Sequence, residues 1–437
     1  MQSSGLPAVV RRSAHLIAVS APGLGGRGVQ FLVLAALAGV LAPAEYGRFV
    51  VLQTLVVGTA SVLGSTAGVT FNTAAARLAR AGSVDRTAVL LTLLRSRRRA
   101  FLVNVLVSSL VLVMGSPFLT GRMWPSGPAE AVPLLLIGTA SAALPIGEGV
   151  VAVLAGTGRP LAAACVDAAR AVVAAVAAFA GGVAAGAVGA AAGLVVADVV
   201  LVVVLGVLVG VRRARPTSVL GRSSTAGGGP TPTVVAPARD GLAAGVTANV
   251  LGQVASWIVL WAVQVVGGPV GLGVYGVATR FASVVTLAPV FLGKTVVGQL
   301  AVPGPGRDRW TPGSFVGVLA VLSVVGSAVS VTVLLLGFPD LLVRYPGLLP
   351  VTMSVLLAAS VRAILIGVGN VCVARRHWRT WVTADAVGVV VVVGGVLLVL
   401  ATGGGVVAVV SASAAGFAAG VAVRAVSLLR TPGGSAR

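Results

Sequence analysis

Residues 184–211 read AAGAVGAAAGLVVADVVLVVVLGVLVGV, and the chain then turns basic at Arg212 and Arg213. The run holds a single charge, Asp198, and shows no alternation of apolar and polar positions. A helix needs about 20 apolar residues to cross the hydrocarbon core of a bilayer. A membrane β-strand would instead alternate apolar and polar residues over about 10 positions. The continuity of 184–211, and of 388–401, therefore specifies helices that close their own backbone hydrogen bonds. Outward from this stretch, similar runs follow one another along the chain. They place spans at 15–42, 47–72, 100–119, 130–156, 159–181, 184–211, 241–267, 270–300, 314–338, 348–373, 380–401 and 404–429. The expected fold is an all-α membrane protein of about twelve transmembrane helices.

Composition agrees. Of 437 residues, 57% are hydrophobic and 9% charged, where a soluble domain carries about 25% charged residues. A net charge of +21 in a soluble protein would point to nucleic acid. Here the basic residues sit in short loops between apolar runs, so the expected contacts are membrane lipids, with no nucleic acid. Arginines cluster at 77–99, 212–239 and 375–379, while the alternate loops hold only Arg48, Arg122 and Arg344. By the positive-inside rule both termini face the cytoplasm of a multi-pass cell-membrane protein. Cys165 and Cys372 fall inside spans and read as small packing residues. No metal-ligand spacing occurs, and no cofactor is expected. The N-terminal apolar run is too long for a cleavable signal, and a second span follows it closely.

The segment 212–240, rich in Pro, Gly, Ser and Thr, reads as a flexible cytoplasmic linker. It divides the chain into an N-terminal six-helix bundle (1–211) and a C-terminal one (241–437). The halves look related. Span two starts near Tyr46-Gly47 and span eight near Tyr275-Gly276. Asp167 follows the Arg159 turn as Asp385 follows the Arg376 turn. Two such repeats suggest bundles around a central cavity, as transporters build them.

Two stretches carry a family resemblance. One is Leu41-Ala-Pro-Ala-Glu-Tyr46-Gly47, leading into a helix that ends in an Arg-rich loop. The other is Gly267-Gly-Pro-Val-Gly-Leu-Gly-Val-Tyr275-Gly276-Val-Ala-Thr-Arg280-Phe. With the six-plus-six layout, the chain resembles the oligosaccharide-lipid flippases, the O-antigen-type polysaccharide exporters of the multidrug/oligosaccharidyl-lipid/polysaccharide (MOP) superfamily. That resemblance implies passage of a polyprenyl-diphosphate-linked oligosaccharide, a polysaccharide precursor, from the cytoplasmic to the outer leaflet, with glycan-assembly enzymes as further partners.

An ionised side chain at the bilayer centre costs about 2.5–3.5 kcal/mol on insertion scales, so each intramembrane charge needs a partner or a cavity. Arg27 lies among Pro22, Gly23, Gly25, Gly26 and Gly28. This pattern suggests a broken first span, with the guanidinium free to hold a diphosphate. The alternative is a bridge from Arg27 to Asp198 or Glu148, with the glycines serving close packing. Arg280 and Lys294 are further candidates for the cavity, or else snorkel to the interfaces. Arg362, central in its span, requires an acid or a cavity. Asp167 and Arg170 are spaced to neutralise each other. Asp198 has no local partner, which makes it the candidate for ion coupling. The pairs Gly64/Gly68, Gly182/Gly186, Gly189/Gly193 and Gly416/Gly420 read as close-packing faces. Short external loops leave no room for a catalytic domain, so an enzyme, a polyprenyl-dependent glycosyltransferase or polymerase, ranks below transport. A drug or metabolite exporter of the same superfamily is the nearer alternative.

Overall fold

The structure, a computed structural model, describes residues 8–80, 102, 131–141, 143–214, 239–300 and 311–430. Among these residues every regular element is an α-helix, and eight helical stretches are long and apolar enough to cross a membrane. In chain order the helices are α1 (Ala8–Val40), α2 (Pro43–Arg80), α3 (Ala131–Ala140), α4 (Ala143–Gly156), α5 (Pro160–Ala214) and α6 (Arg239–Leu300). They continue as α7 (Pro312–Gly337), α8 (Pro339–Arg344), α9 (Leu348–Ala374), α10 (Trp378–Ala401) and α11 (Val406–Arg430). The expected span at 100–119 and most of the linker lie outside the described residues.

Two helices are too long for one crossing. At about 1.5 Å per residue, the 55 residues of α5 would run about 80 Å, against a hydrocarbon core of about 30 Å. The chain reverses instead at Ala185 and Gly186, where Gly186 takes φ 60°, ψ −145°, a conformation open to glycine alone without strain. The two arms then pack antiparallel. Gly181 lies against the backbone of Gly189, and Gly193 against that of Ala177, with no room for a Cβ at any of the three glycines. In α6 the reversal comes at Gly268 (φ 62°, ψ −165°), just before Pro269. Both reversals fall at or close to the expected breaks between spans. Gly186 was expected on a packing face but is the turn itself, because the chain must reverse there and only its φ allows it.

The expected break in the first span is absent. α1 runs as one helix through Pro22. Its glycines serve contact instead: Gly26 meets the Ala168 backbone so closely that no Cβ would fit. A neighbouring helix of this kind tolerates one missing hydrogen bond at proline without breaking the rod.

α1 packs on α5, α2 on both α4 and α6, α6 on α9 and α10, and α11 on both α9 and α10. The helices before residue 215 meet those after 238 chiefly along α2 and α6. Here the two Tyr-Gly pairs come together. Gly47 abuts the backbone of Pro269 and Gly273, and Gly276 abuts Val50 and the Tyr46 ring. Around them lies a buried aromatic seal: Phe31 stacks edge-on to Phe281 at 5.2 Å, Phe281 to Phe338 at 5.9 Å, and Tyr46 to Tyr345 at 6.5 Å.

The same end is tied by a cap. The last carbonyls of a helix have no intrahelical partner and carry its negative pole. For α1 these partners come from the far half of the chain. Tyr345 Oη donates to the Ala38 carbonyl at 2.9 Å, and Arg344 donates to the carbonyls of Gly39 and, at 3.0 Å, Leu41.

Candidate functional site

Toward the opposite end from this seal the halves enclose a cavity of about 380 Å³. Asn72 and Glu148 face it from the first half, and Asn249, Arg362, Trp381 and Asp385 from the second. A smaller chamber of about 240 Å³, built wholly from the second half, adjoins it. Arg362 and Phe417 line both spaces. They form a stack, with the guanidinium carbon 5.7 Å from the ring centroid. Arg362 sits midway along α9, is exposed, and makes no hydrogen bond or salt bridge among the described residues. The sequence required an acid or a cavity for this cation. The structure gives it a cavity.

Apart from Arg280, the remaining intramembrane charges among the described side chains form two networks, one in each half. In the first, Arg170 reaches Asp198 (Nε to Oδ1 2.7 Å) and Glu148 (3.4 Å), and lies 3.7 Å from Asp167. Asp167 in turn receives Arg27 at 3.0 Å. In the second, Arg424 bonds Asp385 and the Leu365 carbonyl. Both networks are held by helices in equivalent places, for Asp167 and Asp385 occupy the span after each basic turn.

The candidate residues therefore separate. Arg27 pairs with Asp167, a partner not foreseen, because the close approach at Gly26 brings α1 onto that stretch of α5. It also donates to Gln30 at 3.0 Å. Asp198 is buried and has its partner in Arg170 across the α5 reversal. Arg280 is neither in the cavity nor snorkelling: its Nε donates to Tyr46 Oη at 3.2 Å, and it lies over the Phe49 ring at 5.5 Å. It is a strut of the seal. The side chain of Lys294 lies outside the described residues. Arg424, fully buried, is the charged cavity residue that sequence reasoning missed. Its place near the end of the last span reads as one more cytoplasmic anchor. The only signal was Asp385, an intramembrane acid without a local partner. Among the described residues no group of three or more His, Cys, Asp and Glu side chains is placed to hold a metal ion.

No protein-family model matches the chain, and no curated protein matches it. Solved structures do. A Vibrio cholerae MATE transporter, VcmN, superposes with a TM-score of 0.64 at 13% identity, covering 98% of this chain and 99% of that one. A MOP superfamily transporter from Pyrococcus furiosus, described as having a binding pocket of reversed polarity, gives 0.63 at 14% identity and 95% of each chain. The MATE multidrug transporter DinF-BH gives 0.62 at 15% identity and 98% of each. The fold is that of MATE transporters of the MOP superfamily.

Proposed function

We propose that this protein is an alternating-access membrane transporter that flips a polyprenyl-diphosphate-linked oligosaccharide to the outer leaflet. The observation that carries the reading is Arg362, a mid-span cation with no acid bonded to it, standing in a cavity between the helices before residue 215 and those after 238. A guanidinium in a low-dielectric cavity binds phosphate oxygens through paired, charge-assisted hydrogen bonds. The cavity lies beside the Arg375–Arg379 turn, which the positive-inside rule puts in the cytoplasm. The seal of Tyr46, Gly47, Gly273 and Gly276 then closes the outer side, so the cavity is loaded from the cytoplasm. Rocking of the halves about the α2–α6 contact opens the other side. The lipid tail stays in the bilayer while the head group travels, and glycan-assembly enzymes supply and consume it.

A drug exporter is the second reading, favoured by the fold shared with the multidrug transporter DinF-BH. Against cationic drugs stands the pairing of the cavity carboxylates: Asp385 is bonded to Arg424 and Glu148 to Arg170. The reversed pocket polarity described for the Pyrococcus furiosus protein is a precedent within the fold for a cargo set by cavity charge. Ion coupling through Asp198 belongs to the same proposal. Unchanged transport by Asp198→Asn under every proton and sodium gradient rules that part out.

The test is flipping of a fluorescent polyprenyl-diphosphate sugar in proteoliposomes, read by a membrane-impermeant quencher. Wild type is expected to flip it and Arg362→Ala to lose the activity. No flipping by folded wild type sends the assignment to the exporter.

A further inference from the structure

The chamber beyond Arg362 has a chemistry of its own. Six hydroxyls line it: Ser256, Thr279, Ser283, Thr286 and the phenol of Tyr275 on α6, and Ser413 on α11. Each of the five serine and threonine hydroxyls donates its proton to a carbonyl of its own helix. Ser256 gives to Gly252 at 2.9 Å, Thr279 to Gly276 at 2.8 Å, Ser283 to Arg280 at 2.6 Å, Thr286 to Ser283 at 2.9 Å and Ser413 to Val410 at 2.6 Å. A hydroxyl has one proton and two lone pairs. With the proton committed, each of these five oxygens offers the chamber acceptors alone, and the Tyr275 phenol adds one donor. The chamber is thus lined mainly by acceptors, and its one cation, Arg362, stands at the boundary with the main cavity.

Such a lining rejects most small ligands. A carboxylate or phosphate placed deep inside would meet oxygen lone pairs. An apolar group would bury those oxygens without a partner, at a cost of about 1–3 kcal/mol each on protein scales. A ligand carrying several O–H donors satisfies them. At about 30 Å³ of liquid volume per water, 240 Å³ is the space of about eight waters. That is room for one sugar ring and not for an extended oligosaccharide.

We infer that the chamber is a polyol subsite, which takes the sugar ring next to the phosphate while Arg362 holds the phosphate at its mouth. This rests on the anionic-cargo reading and sharpens it. The lipid-proximal sugar is read by the second half of the chain, and the rest of the glycan lies in the main cavity, where composition is free to vary.

The experiment uses the full chain in nanodiscs and measures equilibrium binding of three probes. They are a short polyprenyl diphosphate carrying one hexose, the same lipid without the sugar, and hexose 1-phosphate. Wild type is expected to bind the sugar-bearing lipid about tenfold or more tightly than the bare lipid, the worth of one or two hydrogen bonds. The near-isosteric variants Thr279→Val and Ser413→Ala, on different helices, are expected to erase that preference while leaving bare-lipid binding as it was. A melting curve confirms that each is folded, and loss of the preference in either folded variant supports the subsite. A preference that persists in both, or no preference in wild type, overturns the subsite. Arg362→Ala is expected to weaken both lipid probes. If it weakens neither, the anionic-cargo reading fails, whatever the hydroxyl variants do. If hexose 1-phosphate binds as tightly as the sugar-bearing lipid, the polyol subsite stands and the lipid-linked cargo falls.

Discussion

The cap on α1 offers a test of the proposed alternating access, by removing two side-chain tips. Tyr345 is fully buried, and its phenol is bonded to the Ala38 carbonyl. In Tyr345→Phe that carbonyl loses its side-chain partner at the closed end, at a cost of about 1–3 kcal/mol. Arg344 reaches the Gly39 and Leu41 carbonyls from an exposed position, so solvent screening reduces its share to about 0.5–1 kcal/mol. The buried phenol outweighs the exposed guanidinium, although the latter makes two bonds. Together they are worth about 1.5–4 kcal/mol, which changes the closed-to-open ratio by about 10-fold to about 900-fold. The reporter is Leu272→Cys in a background lacking Cys165 and Cys372. Leu272 is buried, and it packs beside Gly47 in the seal. While the open form is rare, labelling by an impermeant maleimide scales with its population. Tyr345→Phe with Arg344→Ala is expected to raise that rate about tenfold or more, with Tyr345→Phe alone giving most of it. An unchanged rate in folded protein would refute the claim that the cap holds the seal shut.

Glu148 lines the same cavity as Arg362, so Glu148→Gln is expected to tighten binding of an anionic lipid probe in nanodiscs, and weaker binding would count against it. Asp385→Asn and Arg424→Ala each break a buried pair, a loss of about 3–5 kcal/mol. Both are expected to lower Tm in a thermal unfolding scan, and the double variant to lose less than the sum. Gly268→Ala forces a Cβ into positive φ, at about 1–2 kcal/mol. The expected result is a lower Tm at unchanged helix content by circular dichroism.

The elements were legible because apolar run length and charge parity are local signals. That a run twice the bilayer's thickness must turn was legible too, and Gly268 falls in the expected break between 267 and 270, but Gly186, two residues past the expected break, reads as a packing glycine until its φ is seen. Partner identity was not legible, because it depends on how neighbouring rods are rotated. Arg27 reads as exposed on a broken helix until Gly26 is seen to seat α1 against Ala168, which delivers the guanidinium to Asp167. Arg280 has no sequence signal pointing to Tyr46, although both belong to the stretches that stood out as equivalent. The hydroxyl chamber was invisible for another reason. Serines and threonines scattered along apolar helices are ordinary in membrane spans, and only packing shows that five of them face one space.

The two charge networks also bear on what the cavity asks of its contents. In the first half, Arg27 and Arg170 stand against Glu148, Asp167 and Asp198, leaving one formal negative charge. In the second, Arg362 and Arg424 stand against Asp385, leaving one positive. These surpluses are placed unequally with respect to the cavity. Asp198 and Asp167 are buried behind Arg170 and Arg27, whereas Arg362 projects into open space. Glu148, the first half's acid at the cavity wall, is bonded to Arg170, whereas Arg362 has no acid bonded to it, so Arg362 is the charge that an anionic ligand can neutralise. An anionic head group completes the second half without disturbing the first. Under the proposed alternating access, opening the seal separates α2 from α6, yet each network is confined to one half, so no ion pair within them need break as the halves move. The proposed transition is then governed by the cap on α1, the aromatic seal and the Tyr46–Arg280 bond, which leaves the cavity charges free to match the proposed cargo.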